Sequence, residues 1–176
     1  MLNSVFCLLR YYCLRLIASK HFSFKSFVKI PFGFSLKATG MVQFNGNTTL
    51  NPGGYFGVTQ NGFLNIGRNV YFGRNVLVAC QKSIIIGDNC LFGPNVTIYD
   101  HDHLIKEGKT QNDQFVSSEV VIEKDCWIGA GVIILRGSHI GEGSVIGAGT
   151  VVKGSIPPHT QAYNKQELVT KLIREL

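Results

Sequence analysis

The sequence predicts an all-β chain wound as a parallel β-helix. Three observations carry this: an apolar residue recurs every sixth position, a slim residue follows each of these four positions later, and Gly, Asn or Asp falls between them. One unbroken run reads Ile122, Ile128, Ile134, Ile140, Ile146 and Val152. Three shorter runs read Phe44–Leu50–Phe56, Ile66–Phe72–Val78 and Ile86–Phe92–Ile98. A period of six fits neither a 3.6-residue helix nor an ordinary alternating strand. It fits a short strand and a sharp corner, repeated, with three such faces closing one triangular coil.

Each element of the repeat has a physical task. The apolar anchor points inward, and successive coils stack the anchors in three columns. Those columns are Phe44, Ile66, Ile86, Ile122, Ile140; then Leu50, Phe72, Phe92, Ile128, Ile146; then Phe56, Val78, Ile98, Ile134, Val152. The slim residue (Thr48, Val70, Val76, Val96, Val132, Ser138, Ser144, Thr150) also points inward, near the corner. Cys90 and Cys126 hold this position, which makes them core residues rather than reactive thiols. Asn69, Asn75, Asn89, Asn95, Asp125 and Gly131 precede the slim residue and supply the dihedral angles a corner requires.

Breaks in the period mark departures from the prism. The steps from Phe56 to Ile66 and from Val78 to Ile86 are ten and eight residues, short corner insertions. The step from Ile98 to Ile122 is twenty-four, which predicts an extended loop over 99–121. That loop opens with "YDHDH", two of the chain's five histidines, and a polar loop on a rigid scaffold is a common place for a site.

The chain therefore divides into an N-terminal amphipathic helix and connector (1–40), the β-helix (41–160) and a C-terminal helix (161–176). The first segment places apolar residues at 5, 8, 9, 12 and 16, a helical spacing, with Arg10 and Arg15 interrupting it. That pattern suits neither a signal peptide nor a membrane-spanning helix. It predicts a helix packed on its own domain or on a partner subunit, with peripheral membrane contact as the alternative.

Composition bounds the function. A chain of 176 residues with 45% apolar and 16% charged residues suggests one domain with a real core. The net charge of +6 fits an anionic ligand or surface, and no aromatic-and-basic motif points to nucleic acid. Five scattered cysteines, an odd count with no CxxC pair, argue against a disulfide framework and a structural zinc site. A reducing, cytoplasmic setting follows.

The stretch "IGDNCLFGPNVTIYDHDH…VVIEKDCWIGAGVIILRGSHIGEGSVIGAGTVVKGSIPP" closely resembles the hexapeptide-repeat acyltransferases, within them the maltose/galactoside and polysaccharide O-acetyltransferase branch. The resemblance covers roughly residues 62–160. It implies a left-handed winding and a homotrimer with active sites between subunits. It further implies acetyl-CoA as co-substrate and a loop histidine as general base. In the family that histidine follows "PNVT" and stands at a fixed distance before the Trp of "WIG"; counting from Pro94 and back from Trp127, both registers land on His103, with His101 its competitor. An Asp or a backbone carbonyl would orient the other ring nitrogen, with Asp100 and Asp102 the candidate carboxylates. The family's cofactor positions carry over to Gly129, Ala130, Gly147, Ala148 and Lys153, with Lys171 or Arg174 meeting CoA phosphates from the C-terminal segment. Where the sugar acetyltransferases often have an acceptor-pocket Asn this chain has Gly73, followed by Arg74 and Asn75; these two and Asp102 are the candidate acceptor contacts.

The expected activity is transfer of an acetyl group from acetyl-CoA to a hydroxyl of a sugar or surface-polysaccharide precursor. N-acetylation of an amino sugar or xenobiotic is the alternative. A non-catalytic β-helix scaffold and a metalloenzyme like the γ-type carbonic anhydrases are further readings. The latter needs three converging histidines, and no third lies at a convincing place, so no metal ligand is assigned.

Overall fold

The structure, a computed structural model, describes residues 2–17, 20–165 and 167–170. The chain coils into a three-faced prism of about seven turns. Face one carries seven parallel strands: 22–24, 41–44, 63–66, 83–86, 120–122, 139–140 and 155–156. Face two carries seven: 28–29, 48–49, 70–72, 91–92, 127–128, 145–146 and 161–162. Face three carries six: 35–38, 55–58, 77–80, 97–99, 133–134 and 151–152.

The three columns expected from the sequence are the columns observed. On face one Phe44 pairs with Ile66, Ile66 with Ile86, Ile86 with Ile122 and Ile122 with Ile140. On face three Phe56, Val78, Ile98, Ile134 and Val152 pair in turn. Every anchor is buried, and so are the slim corner residues, Cys90 and Cys126 included. The side-chain interaction with Cys126, and then burial, raise the pKa of the Cys90 thiol, which suits a packing role.

Corners follow the expected chemistry. Asn75 and Gly131 both take positive φ, at 57° and 67°, and Asn69, Asn89, Asn95 and Asp125 do the same. The glycine after an anchor is a matter of space. A Cβ on Gly93 would stand 2.7 Å from the backbone nitrogen of Ala130 in the next coil, so only hydrogen fits.

Two boundaries differ from expectation. The prism begins at Phe22, not at 41, because 22–24, 28–29 and 35–38 form a complete first coil on the three faces. Its anchors Phe24, Ile30 and Leu36 keep the six-residue step, but Phe34 fills the usually slim corner and packs edge-on against Phe56 at 4.9 Å. At the other end Gln161–Ala162 pair with Val145–Ile146 as the last strand of face two, rather than opening a helix at 161. Residues 163–165 and 167–170 are not helical, and 171–176 lie outside the described residues.

Helix α1, Leu2–Ile17, covers the first coil. Tyr11 is buried there, with its ring 5.3 Å from Phe24 and 5.2 Å from Phe27. A solenoid needs such a cap because its terminal coil has no neighbour to cover its core.

Candidate active site

The expected loop is a β-hairpin. His101–Lys106 and Lys109–Ser117 pair antiparallel, His103 opposite Phe115. Its tip, Glu107–Gly108, has φ of 51° and 72°, the two positive values of a type I′ turn, whose twist matches that of the strands it joins. The hairpin therefore holds its histidines on paired backbone, not on a free loop.

Its base is fixed by a buried carboxylate. Asp100 is fully buried and accepts N–H bonds from Gln81 (2.9 Å), Lys82 (2.7 Å) and Ser83 (2.9 Å). The two-residue insertion between Val78 and Ile86 is thus a cradle of amides wrapped around the residue at which the chain leaves the prism. Asp100 Oδ1 also lies 2.8 Å from His101 Nδ1. A carboxylate oxygen accepts, so Nδ1 donates and Nε2 keeps its lone pair.

His103 is arranged the same way by a different partner. Its Nδ1 lies 3.0 Å from the carbonyl oxygen of Gln111 across the hairpin. A carbonyl only accepts, so this ring too carries hydrogen on Nδ1 and a free pair on Nε2. The ring rests on Phe115, centroids 4.7 Å apart, and is solvent-exposed, whereas the His101 side chain is only 16% exposed. Asp102 is ion-paired with Arg136 of the following coil, so Asp100 and not Asp102 contacts a histidine. Arg136, Gln111 and Phe115 carry no repeat or motif signal, and the sequence alone did not single them out.

Two cavities meet at this hairpin. One of about 370 Å³ is lined by Tyr99, His101, Asp102, His103 and Leu135. A larger one of about 590 Å³ runs along face three toward the first coil, with Lys37, Tyr55, Gly57, Ala79, Gln81 and His101 among its walls. Gly57 and Ala79 make its floor shallow.

The remaining predicted positions fall elsewhere. Gly129–Ala130 and Gly147–Ala148 stack at the corner between faces two and three, in adjacent coils; Gly149 donates to the Ala130 carbonyl at 2.8 Å. The Ala130 and Ala148 methyls are exposed, and neither N–H has a hydrogen-bond partner among the described residues. Arg74 and Asn75 occupy the same corner nearer the N-terminal end; Arg74 is exposed, and the Asn75 amide donates to Asn95 at 3.0 Å. Lys153 is exposed at the next corner, between faces three and one, where the hairpin also departs. Lys171 and Arg174 lie outside the described residues. His139 is bonded to Glu123 at 2.8 Å on the surface, and among the described residues no cluster of three or more His, Cys, Asp or Glu could hold a metal.

A three-faced parallel solenoid with hexapeptide columns and a histidine hairpin defines the class of hexapeptide-repeat transferases. Residues 119–154 match the family described as bacterial transferase hexapeptide (six repeats), and 64–99 match the hexapeptide repeat of succinyl-transferase. The chain is 32% identical over 140 residues to the Escherichia coli protein named "putative lipopolysaccharide biosynthesis O-acetyl transferase", spanning 74% of this chain and 71% of that one. It is 35% identical over 130 residues to E. coli galactoside O-acetyltransferase, spanning 74% of this chain but 62% of that relative's length. A hexapeptide-repeat acetyltransferase from Vibrio cholerae superposes with a TM-score of 0.59 at 28% identity, covering 88% of this chain and 74% of that one. That protein has also been solved with acetyl-coenzyme A bound. The chain belongs to the hexapeptide-repeat acyltransferase family, whose prism is the left-handed parallel β-helix.

Proposed function

We propose that this protein is an acetyl-CoA-dependent O-acetyltransferase acting on a hydroxyl of a sugar or surface-polysaccharide precursor. The observation that carries the reading is the hairpin: two histidines with Nδ1 tied down and Nε2 free, over a cavity on a rigid prism. Similarity to two named O-acetyltransferases supports acetyl transfer to oxygen.

His103 acts as the base. Its Nε2 takes the proton of the acceptor hydroxyl as the oxygen attacks the thioester carbonyl, and the imidazolium returns that proton to the departing thiolate. The Gln111 carbonyl fixes the productive tautomer. Acetyl-CoA supplies the activated acyl group. Its pantetheine amides find unpartnered N–H donors at Ala130 and Ala148, on a corner whose small side chains let a ligand approach the backbone. Lys153 offers a cation to its phosphates.

The hairpin leaves from one corner and the Gly-Ala corners form another, so the two halves of the site do not share a corner of one chain. A homotrimer, with one subunit's hairpin meeting its neighbour's Gly-Ala corner, completes the site. The groove along face three toward Lys37 and Tyr55 receives the acceptor, and Asp102 lines the adjoining cavity.

His101 is the second reading, favoured by its carboxylate partner Asp100. A thiol-release assay with acetyl-CoA and a panel of sugars separates the two. His103→Ala loses roughly 10²–10⁴ of the rate while His101→Ala retains most of it. Full activity in His103→Ala rejects the assignment, and no thiol release with any acceptor rejects acetyl transfer.

A further inference from the structure

Helix α1 has two unlike sides. Cys7 and Tyr11, one turn apart, are buried against the first coil. Val5, Phe6, Leu8, Leu9, Tyr12 and Leu16 face outward with 43–78% of their surface exposed. An outward helix face normally carries charge; the described side chains on this one are apolar. Exposed aromatic surface continues onto the first coil, where Phe27 is 40% and Phe32 84% exposed.

The charge of this end is equally one-sided. All 11 Asp and Glu residues of the chain lie at or beyond Asp88, so the first 87 residues hold nine Lys and Arg and no acidic side chain. Lys20, Lys25, Lys29 and Lys37 are exposed on and beside the first coil, and Lys29 lines a cavity with Cys7, Leu8 and Phe27 under the helix. The prism is therefore polarised along its axis. Its helix-capped end is cationic and apolar, and every carboxylate side chain lies toward the other half of the sequence.

We propose that the α1 end docks on an anionic lipid bilayer, with the helix lying in the interface. A purely apolar partner would not need the cations, and a second copy of the same surface would set lysines against lysines with no carboxylate within reach to relieve them. An anionic bilayer satisfies both features: acyl chains take Phe6, Leu9 and Leu16, and headgroups take the flanking lysines. The helix lies on the membrane rather than across it. Its 16 residues span about 24 Å against a hydrocarbon core of about 30 Å, and no described helix is long and apolar enough to cross. This inference does not depend on the acetyl-transfer reading.

Flotation of the full chain with lipid vesicles tests it. The protein should float with phosphatidylcholine vesicles containing about 30 mol% phosphatidylglycerol, and only weakly with phosphatidylcholine alone. Binding should weaken steeply from low to physiological salt. Leu9→Glu/Leu16→Glu changes two exposed positions and should cut partitioning at least roughly tenfold, with circular dichroism and melting unchanged. Lys25→Glu/Lys29→Glu should remove most of the preference for anionic lipid. Three results would overturn the proposal: failure of the wild type to float, flotation of Leu9→Glu/Leu16→Glu like the wild type, or a change in oligomeric mass of that variant by sedimentation, which would mean that a second copy covers the face.

Discussion

Asp100→Asn is the most informative single change, because it tests the fold and the base assignment at once. In the wild type Oδ2 accepts from Gln81, Lys82 and Ser83, and Oδ1 accepts from Gln81 and His101. An asparagine keeps one acceptor, and its best placement is at Oδ2, where three amides converge. Its NH2 group then faces His101 Nδ1. That nitrogen must become the acceptor, so hydrogen moves to Nε2 and His101 can no longer serve as a base there. One charge-assisted bond is lost, worth about 1.5–3 kcal/mol. At about 2–4 °C per kcal/mol for a domain of this size, the melting temperature falls by roughly 3–12 °C. His103 is held by Gln111 and is untouched, so the acetyl-transfer rate should fall less than roughly tenfold, far less than in His103→Ala. The assays are thermal melting and thiol release side by side. A folded Asp100→Asn protein as inactive as His103→Ala would refute the reasoning and make the His101–Asp100 pair the catalytic base.

Three further outcomes follow from the same geometry. Ile98→Ala removes a fully buried anchor directly beneath the hairpin and should cost about 2–5 kcal/mol in urea unfolding, with the hairpin histidines losing order as well. Gly93→Ala forces a methyl against the Ala130 backbone nitrogen and should cost about 1–3 kcal/mol, while Gly108→Ala meets open space but must hold a φ of 72°, which strains the hairpin turn by about 1–2 kcal/mol. The Arg68 backbone N–H, then its guanidinium, hold the Asp88 carboxyl below its ordinary pKa. A depressed carboxylate stabilises the fold above its unfolded pKa, and that stabilisation disappears as pH falls through the folded value. Asp88→Asn should therefore melt slightly below wild type at pH 7, and the difference should shrink as the pH falls below the ordinary carboxylate range, by calorimetry.

Much of this molecule was legible in the residues because a hexapeptide coil is a local object. Each face needs one inward anchor, one slim corner residue and one residue tolerant of positive φ, all within six positions, so the pattern, the columns and the register could be read without a structure. The first coil escaped for a local reason: Phe24, Ile30 and Leu36 keep the step, but Phe34 breaks the rule of a slim corner. The last strand escaped because Gln161–Ala162 is recognisable only by its partner Val145–Ile146.

The site divides along the same line. That an excursion bearing His101 and His103 begins after Ile98 was set by the period alone, while the choice of His103 between them came from the family resemblance. Which partner each histidine takes depended on residues distant in sequence. The amides of 81–83 meet Asp100 only because adjacent coils stack, Gln111 meets His103 only because the hairpin pairs in one register, and Arg136 reaches Asp102 from the coil beyond. Spacing along a chain can determine which side chains point inward. Only the tertiary structure decides what a polar group outside the core bonds to, since that requires two backbones brought within about 3 Å of each other.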